Sequence, residues 1–599
     1  MSADTLRIQQ GESPATVSPV VGDGALGDAV AERLAAQGWQ SRRLADAPRN
    51  FASTGTLILV PERHRPALDP WVDLARRYAD TASEGQPEDR PTRHLILVSS
   101  AEIHEPSHRH PGHWHSESPR NRKPTNAIAR RWLDLESRVR GVLEGRELAL
   151  TILRPTALPV DGGTDLWSRL FQGSWAVVPA GFDPSVQLLS VDEFVDAIAQ
   201  EINKSPGSKR CHPLLETAPE IDKRPGPKRC HPLLETVRHI APQRGVIPSK
   251  QALRRAGIRR LALPATVLRP LWRMAGRDAD EIDYLRYPWT VSPWEGSDGE
   301  TADGPIPDPS TVEHDPFGMD KPYIARLGRT LFRFLHNVYW RIEWRGLEHI
   351  PTEGPAVLVG PHRGHQPWDG VMILHRLAST LGRYPRFLIH PTLAKHPHLT
   401  PYMIRCGGVH ACQANGDWVL RHREILAIFP EGIRGAFAHY RDAYRLRKFG
   451  RNEFVKFALR HRAPIVPFVI VGSAEIFPIF GNVRWPWWQR VSEWPFFPIT
   501  PTMSLLPLPS KWHALVLEPI PTEDYGPEAA DDPAIVNALS LEVRRRMEEA
   551  WGSMLERRRH IFFGSIFEDS NPEDLEGTTT RDAFSEAPVV RAPLEETWP

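Results

Sequence analysis

Cysteine is scarce in this chain: four among 599 residues, at Cys211, Cys230, Cys406 and Cys412. Four thiols exclude a disulfide framework and fit a reducing compartment. A membrane-spanning apolar run is also missing. The best candidate, APIVPFVIVGSAEIFPIF from Ala463, carries Glu475 and three prolines, and divides into a buried strand, Ile465 to Val471, and a loop. The N-terminal stretch MSADTLRIQQGESPATV has no apolar core of the kind a secretory signal needs. Net charge is nearly absent, at +1, so nothing global draws the chain to nucleic acid. These absences lead us to expect a cytoplasmic protein whose membrane contact, if it has any, is peripheral. What is plentiful is proline, 59 residues, and tryptophan, 20 residues, which suit long loops and an interfacial surface.

A chain of this length exceeds what one core organises, so two or more domains are expected. After a disordered start over residues 1–16, the segments SPVV, ALGDAVAERLAAQG, GTLILVP, HLILVSS and ELALTILRP alternate strand and helix patterns. Such alternation predicts an α/β domain over 17–291 built on a Rossmann-like parallel sheet. KRCHPLLET occurs at Lys209 and again at Lys228; one duplication is a loop insertion, not a solenoid. Residues 292–320 are rich in Gly, Pro, Asp and Glu and read as a flexible linker. A second α/β pattern follows over 321–567, and an acidic tail, 568–599, is expected to be disordered.

Gly22, Gly24 and Gly27 form a G-x-G-x-x-G between a short apolar run and a helix, where glycines let a pyrophosphate approach a helix N-terminus; Asp46 lies at the distance expected of a ribose contact. NAD(P) is the cofactor this motif implies. Together with HLILVSSAEI, LTILRPTAL and LLSVDEFVDAI, it resembles the extended short-chain dehydrogenase/epimerase family over some 200 residues. The resemblance is degenerate. The family's Tyr and Lys fall on Ile128 and Trp132, so hydride chemistry by that route has no proton donor, and a scaffold or a nucleotide-binding sheet is the expected role. His104, His108, His110, His113 and His115 crowd one stretch, but Pro and Gly interrupt their register, and a solvated loop with no metal is expected.

In the second half, VLVGPHRGHQPWDGVMILHRL places His362 and His365 on a loop between a strand, Ala356 to Gly360, and a helix, Asp369 to Leu381. Asp369 alone reads as a helix N-cap. The chemical reading makes a histidine the general base and Asp369 the carboxylate that orients it. About 60 residues on, EILAIFPEGIRG runs a strand into a turn of Phe429, Pro430, Glu431, Gly432 and Arg434, at the end of a sheet where α/β ligand crevices form.

Four ordered blocks, VGPHRGHQPWDG, MIRCGGVHACQAN, AIFPEGIRG and APIVPFVIVG, resemble the glycerolipid acyltransferase family, which includes the glycerol-3-phosphate and lysophosphatidate acyltransferases, over about 323–563. The usual first block has four residues between His and Asp. HRGHQPWD matches the longer form of a subgroup from His362, which makes His362 the expected base, Asp369 its partner and His365 the fallback. The resemblance implies O-acylation of a glycerolipid or related lipid alcohol by acyl-CoA or acyl carrier protein, with no cofactor required. It further implies an acceptor and substrate pocket shaped by Phe429, Pro430, Glu431, Gly432 and Pro467, with Arg434 meeting phosphate. Phosphate-acceptor members commonly carry an Arg in the second block, and CGGVHACQAN has none, which counts against a glycerol-phosphate acceptor and leaves lysophospholipid, diacylglycerol or another lipid alcohol open. Six Lys or Arg against Asp442 from Arg434 to Arg451, a stripe of Ile324, Leu327, Leu331, Leu335, Val338 and Ile342, and the group Trp485, Trp487, Trp488 and Trp494 suit a membrane surface. The competing classes are a nonenzymatic lipid- or nucleotide-responsive scaffold, and an NAD(P)-dependent reductase or epimerase in the N-terminal half.

Overall fold

The computed structural model describes most of residues 20–567; outside it lie 1–19, 204–233, 292–314, 568–599 and shorter stretches within 37–124, at 147, 242–245, 288, 316, and within 391–395, 447–451 and 487–493. The N-terminal tail, the first KRCHPLLET copy and most of the second, most of the linker and the acidic tail therefore fall outside the described residues; the last three residues of the second copy, Leu234, Glu235 and Thr236, open a sheet strand and are not loop.

The N-terminal half is a six-stranded parallel sheet formed by β1 (Val20–Gly22), β2 (Ser41–Arg43), β3 (Thr56–Val60), β4 (Arg93–Val98), β5 (Leu148–Pro155) and β6 (Leu234–Ile240), in the order β2-β1-β3-β4-β5-β6. Continuous apolar runs such as LILV make strands buried on both faces, and separate clusters around Leu57 and Ile58 cover the two sides. Helix α1 (Gly24–Ala36) leaves β1 directly, and α2 (Ala127–Leu143) packs beside β4 and β5. Strand order reverses between β1 and β3, the switch point at which such sheets bind ligands.

The C-terminal half holds a seven-stranded sheet. Its strands are β7 (Glu343–Arg345), β8 (Ala356–Val359), β9 (Arg386–Ile389), β10 (Gly408–His410), β11 (Ile425–Ile428), β12 (Ile465–Val471) and β13 (His513–Val516), ordered β7-β13-β12-β8-β11-β9-β10. The five strands from β12 to β10 are mutually parallel, and β13 joins β12 antiparallel. Along β8, Val357 and Val359 enter one core while Ala356 and Leu358 enter the other, so both faces are covered. The carboxyl ends of β8, β11 and β9 consequently lie side by side, where parallel sheets bind ligands.

Two expectations need correction. The last linker residues belong to this half: Asp315 caps the N–H groups of Phe317, Gly318 and Met319 and pairs with buried Arg386, while Phe317 and Met319 enter the core. The apolar stripe from Ile324 does not stay on one face. The helix of Lys321–Leu327 passes into π-helical turns at Gly328–Phe332 and Leu335–Tyr339, whose wider repeat shifts the phase. Ile324, Leu335 and Ile342 are buried with Phe332, whereas Leu331 and Val338 are 44 % and 58 % exposed.

Candidate active site

Strand β8 ends at Val359, the Gly360 N–H donates to the Ile428 carbonyl, and the chain crosses to α3 (Trp368–Thr380) through the loop that holds His362. The helix N-cap is Pro367, so Asp369 is not a cap but the second helical residue; a carboxylate there also faces the positive end of the helix. It is 1 % exposed. Its oxygens accept from His362 Nδ1 at 2.8 and 2.9 Å, from the Arg363 N–H at 3.0 Å and from the Gly370 N–H at 2.8 Å. A carboxylate with four such contacts fixes the imidazole with its proton on Nδ1 and leaves Nε2 as the basic nitrogen. The His362 side chain keeps 18 % of its surface exposed, and its ring lies stacked on Phe429, with centroids 4.9 Å apart. Phe429 is in turn stacked on Phe387, which joins the three strand ends.

Arg363, the residue after His362, carries a role that its sequence context did not signal. It is 2 % exposed and makes a two-pronged ion pair with Glu431, Nη1 to Oε1 at 2.8 Å and Nη2 to Oε2 at 3.2 Å. Its Nε donates to the Ala443 carbonyl, and its guanidinium lies over the Trp551 ring at 5.1 Å. Glu431 thus ties the β11 turn to the His362 loop. Pro467, also expected at the substrate pocket, is placed by its strand. It sits buried within β12 in register with Val359, and its carbonyl accepts the Leu517 N–H. Pro430 is buried in the turn, while Gly432 and Arg434 are exposed at its rim. Gly432 has φ 58° and ψ −152°, a conformation essentially reserved for glycine. The turn continues into the short helix α4 (Ile433–Ala436).

His365, the fallback base, makes no hydrogen bond to Asp369. Its ring is 8 % exposed, is surrounded by Phe437, Phe477 and Trp494, and has no hydrogen-bond partner at either nitrogen. Burial pushes its pKa down to about 4, so the ring is uncharged at neutral pH.

In this site, a family model described as Acyltransferase matches residues 341–471. Among curated relatives, an uncharacterized protein of Mycobacterium tuberculosis (strain ATCC 25618 / H37Rv) is 37 % identical over 258 residues, 42 % of this chain and 72 % of that protein. The chain belongs to the acyltransferase family. Its C-terminal half is therefore an acyl-transferring enzyme, and the base loop, the β11 turn and β12 all fall in the matched segment. Phytyl ester synthase 2, chloroplastic, of Arabidopsis thaliana is 32 % identical over 140 residues, 22 % of this chain and 20 % of that protein. The N-terminal half is similar to a solved structure of human epimerase family protein SDR39U1 with NADPH, at 14 % identity, 48 % of this chain, 96 % of that chain and a TM-score of 0.31.

The acyltransferase's N-terminal half does not fit the dinucleotide its fold implies. Gly22 and Gly27 face each other and close the β1–α1 turn, as the motif requires; a Cβ on Gly22 would stand 2.7 Å from the Gly27 Cα. Gly24, at φ 69°, has no open space before it: a Cβ there would lie 2.9 Å from Glu62 Cγ. The Asp23 carboxylate accepts the Gly24 N–H. Two carboxylates thus stand where a pyrophosphate would need donors. Across the ends of β4 and β5, Arg63 is 5 % exposed and donates to Ser100 Oγ at 3.4 Å, the Thr156 carbonyl at 3.1 Å and the Leu158 carbonyl at 3.3 Å. Ile128 and Trp132, in the places of the family's Tyr and Lys, pack against the apolar core. Asp46 lies outside the described residues, as do His108, His110 and His115. His104 is buried against His239, Nε2 to Nε2 at 2.8 Å, so this part of the histidine-rich stretch is core and not a solvated loop. Among the described residues, no group of three or more His, Cys, Asp or Glu is placed to hold a metal ion.

Proposed function

We propose that the C-terminal half transfers a fatty acyl group from a thioester, acyl-CoA or acyl carrier protein, to the hydroxyl of a glycerolipid or related lipid alcohol. The His362–Asp369 pair carries this reading. Nε2 of His362 takes the hydroxyl proton as the oxygen attacks the thioester carbonyl, and Asp369 holds the resulting imidazolium. Collapse of the tetrahedral species forms the ester and expels the thiolate, which recovers the proton from His362. The base ends as it began, and no covalent enzyme intermediate is needed.

The second block presents Gly408, Val409, His410, Ala411 and Cys412 without a cation. That absence, and a relative named for a phytyl ester, support an acceptor without phosphate. Arg434, Arg441 and Arg445 stand exposed beside the turn and suit CoA phosphates. No helix among the described residues is long and apolar enough to cross a membrane. Phe334, Val338, Leu505, Leu506 and Phe563 are 50–83 % exposed. Bonds from Tyr339 to the Pro507 carbonyl, Arg341 to the Phe562 carbonyl and Gln366 to the Ser504 carbonyl draw their three segments together beside the base loop. This apolar rim supports peripheral docking on the cytoplasmic face of a membrane.

The test is thioester-dependent acylation across a panel of lipid alcohols, using wild type and His362→Ala. Loss of the base is expected to lower the rate by ~10²–10⁴; equal product from both proteins would refute the assignment.

A further inference from the structure

His365 lies three residues beyond the base, and the protein's own contacts leave its ring unused. Its φ is 45°, in the left-handed region that side chains with a Cβ seldom enter. The N–H that holds it there donates to the Ala436 carbonyl at 3.0 Å, on the helix that follows the Glu431 turn. The ring is pressed among Phe437, Phe477 and Trp494, with centroids 5.6, 5.2 and 5.9 Å away. Phe437 and Trp494 extend that apolar wall to Ile479 and Phe496. Both ring nitrogens are buried without a hydrogen-bond partner among the described residues. A strained backbone that delivers an unsatisfied polar group into an aromatic pocket is a cost that a bound ligand can offset. The base role is already taken, because Asp369 orients His362 and not His365.

Resting on the acyl-transfer reading above, we infer that His365 contacts the acyl donor: a ring N–H donates to the thioester carbonyl oxygen while the fatty chain lies along Phe437, Phe477 and Trp494. Apolar walls around one polar group, three residues along the chain from His362, match a fatty thioester, whose polar centre is the carbonyl under attack. As the hydroxyl oxygen bonds to that carbon, negative charge grows on the carbonyl oxygen, and the same N–H strengthens its hydrogen bond there. An uncharged ring suits this task, since it enters the apolar pocket without the desolvation cost of a cation.

The experiment compares full-length wild type, His365→Phe, His365→Gln and His362→Ala, with palmitoyl-CoA and 1-hexadecanol in mixed micelles as probes. Acceptor-dependent CoA release, kcat and KM, and the thermal midpoint are read for each. The expected result is that His365→Phe keeps or raises the midpoint, since it removes a buried group with no partner, while kcat falls ~10²–10³-fold, as when one oxyanion donor is removed. His365→Gln, which keeps an N–H, retains more activity than His365→Phe. His365→Phe with kcat and KM within about threefold of wild type would overturn the inference, as would a lowered midpoint with Gln no more active than Phe. Wild type silent across the lipid-alcohol panel would remove the acyl-transfer reading itself, and this inference with it; active wild type beside active His365→Phe would remove only the inference.

Discussion

Asp369→Asn is the sharpest perturbation of the site, because it changes one charge without changing shape. In the wild type both carboxylate oxygens are acceptors, and every neighbour is a donor: His362 Nδ1, the Arg363 N–H and the Gly370 N–H. An amide offers one acceptor oxygen and one NH₂. The two backbone amides bond different oxygens, so an amide oxygen in the Oδ1 place keeps the Gly370 N–H while the NH₂ meets the Arg363 N–H donor to donor, and in the Oδ2 place the reverse holds. In both, the NH₂ also faces His362 Nδ1, which favours moving the ring proton to Nε2 and blocking the base. Either arrangement leaves one buried donor unmade, at a cost of about 1–3 kcal/mol. The kinetic effect is larger than the loss of stability. A wrong tautomer in an Asp-oriented histidine lowers kcat by about 10⁴, and a loss of 10³ or more is expected here. Acceptor-dependent CoA release across pH 6 to 9, with far-UV circular dichroism to establish folding, reads both effects. A folded Asp369→Asn enzyme within about threefold of wild type would refute the pairing as a catalytic device.

Three further outcomes follow from the same geometry. Arg363→Met or Glu431→Leu alone leaves a buried charge without its partner and should cost about 3–5 kcal/mol in urea unfolding, whereas the double variant should recover much of that loss; additive losses would show that the pair is not coupled. His365 and His410, both buried and without ring partners, have pKa values lowered to about 4 and about 3 by burial. For a histidine lowered in this way, the unfolded chain binds the proton first, so the stabilisation is complete above about pH 6.5 and is lost as pH falls toward the folded value. At pH 5 each such group costs ~2 kcal/mol, and the thermal midpoint should fall between pH 7 and pH 5, less steeply in His410→Leu. Finally, titration of the full-length protein with NADH or NADPH, followed by nicotinamide fluorescence, should show no saturable binding into the millimolar range. Saturation at micromolar concentration would show that Arg63 and Glu62 yield the crevice.

Much of the C-terminal half was legible because its signals are local. The strand read at Ala356 to Gly360 is Ala356–Val359, the helix read at Asp369 to Leu381 is Trp368–Thr380, and Ile465–Val471 is as expected. Apolar run, turn and amphipathic run fix a strand-loop-helix unit wherever it occurs, and the His–Asp pair spans only that unit. Arg363 was not legible for the opposite reason. Between two histidines an arginine reads as a solvated charge, and only Glu431, 68 residues away, and the face of Trp551 make its burial tolerable. The ion pair of Glu431 was hidden for the same cause, and the stripe from Ile324 was misread because the π-helical turns that shift the phase carry no local sequence mark.

Both halves hold a run of parallel strands whose carboxyl ends are where such sheets bind ligands, and in each an arginine is buried at those ends. In the C-terminal half Arg363 turns back under the loop, its charge matched by Glu431 and its flat face covered by Trp551, so the mouth is left to His362. In the N-terminal half Arg63 lies across the strand ends themselves, donating to Ser100, Thr156 and Leu158, with Glu102 3.9 Å away. A guanidinium that donates to the hydroxyl of one loop and to two carbonyls of another is a cross-brace, and removing it to admit a cofactor would leave those two carbonyls without this donor. The two arginines are not equally satisfied: Arg363 bonds through all three of its nitrogens, to Glu431 and to the carbonyls of His362, Ala443 and Arg445, whereas Arg63 bonds through its two terminal nitrogens and its Nε is buried without a partner among the described residues.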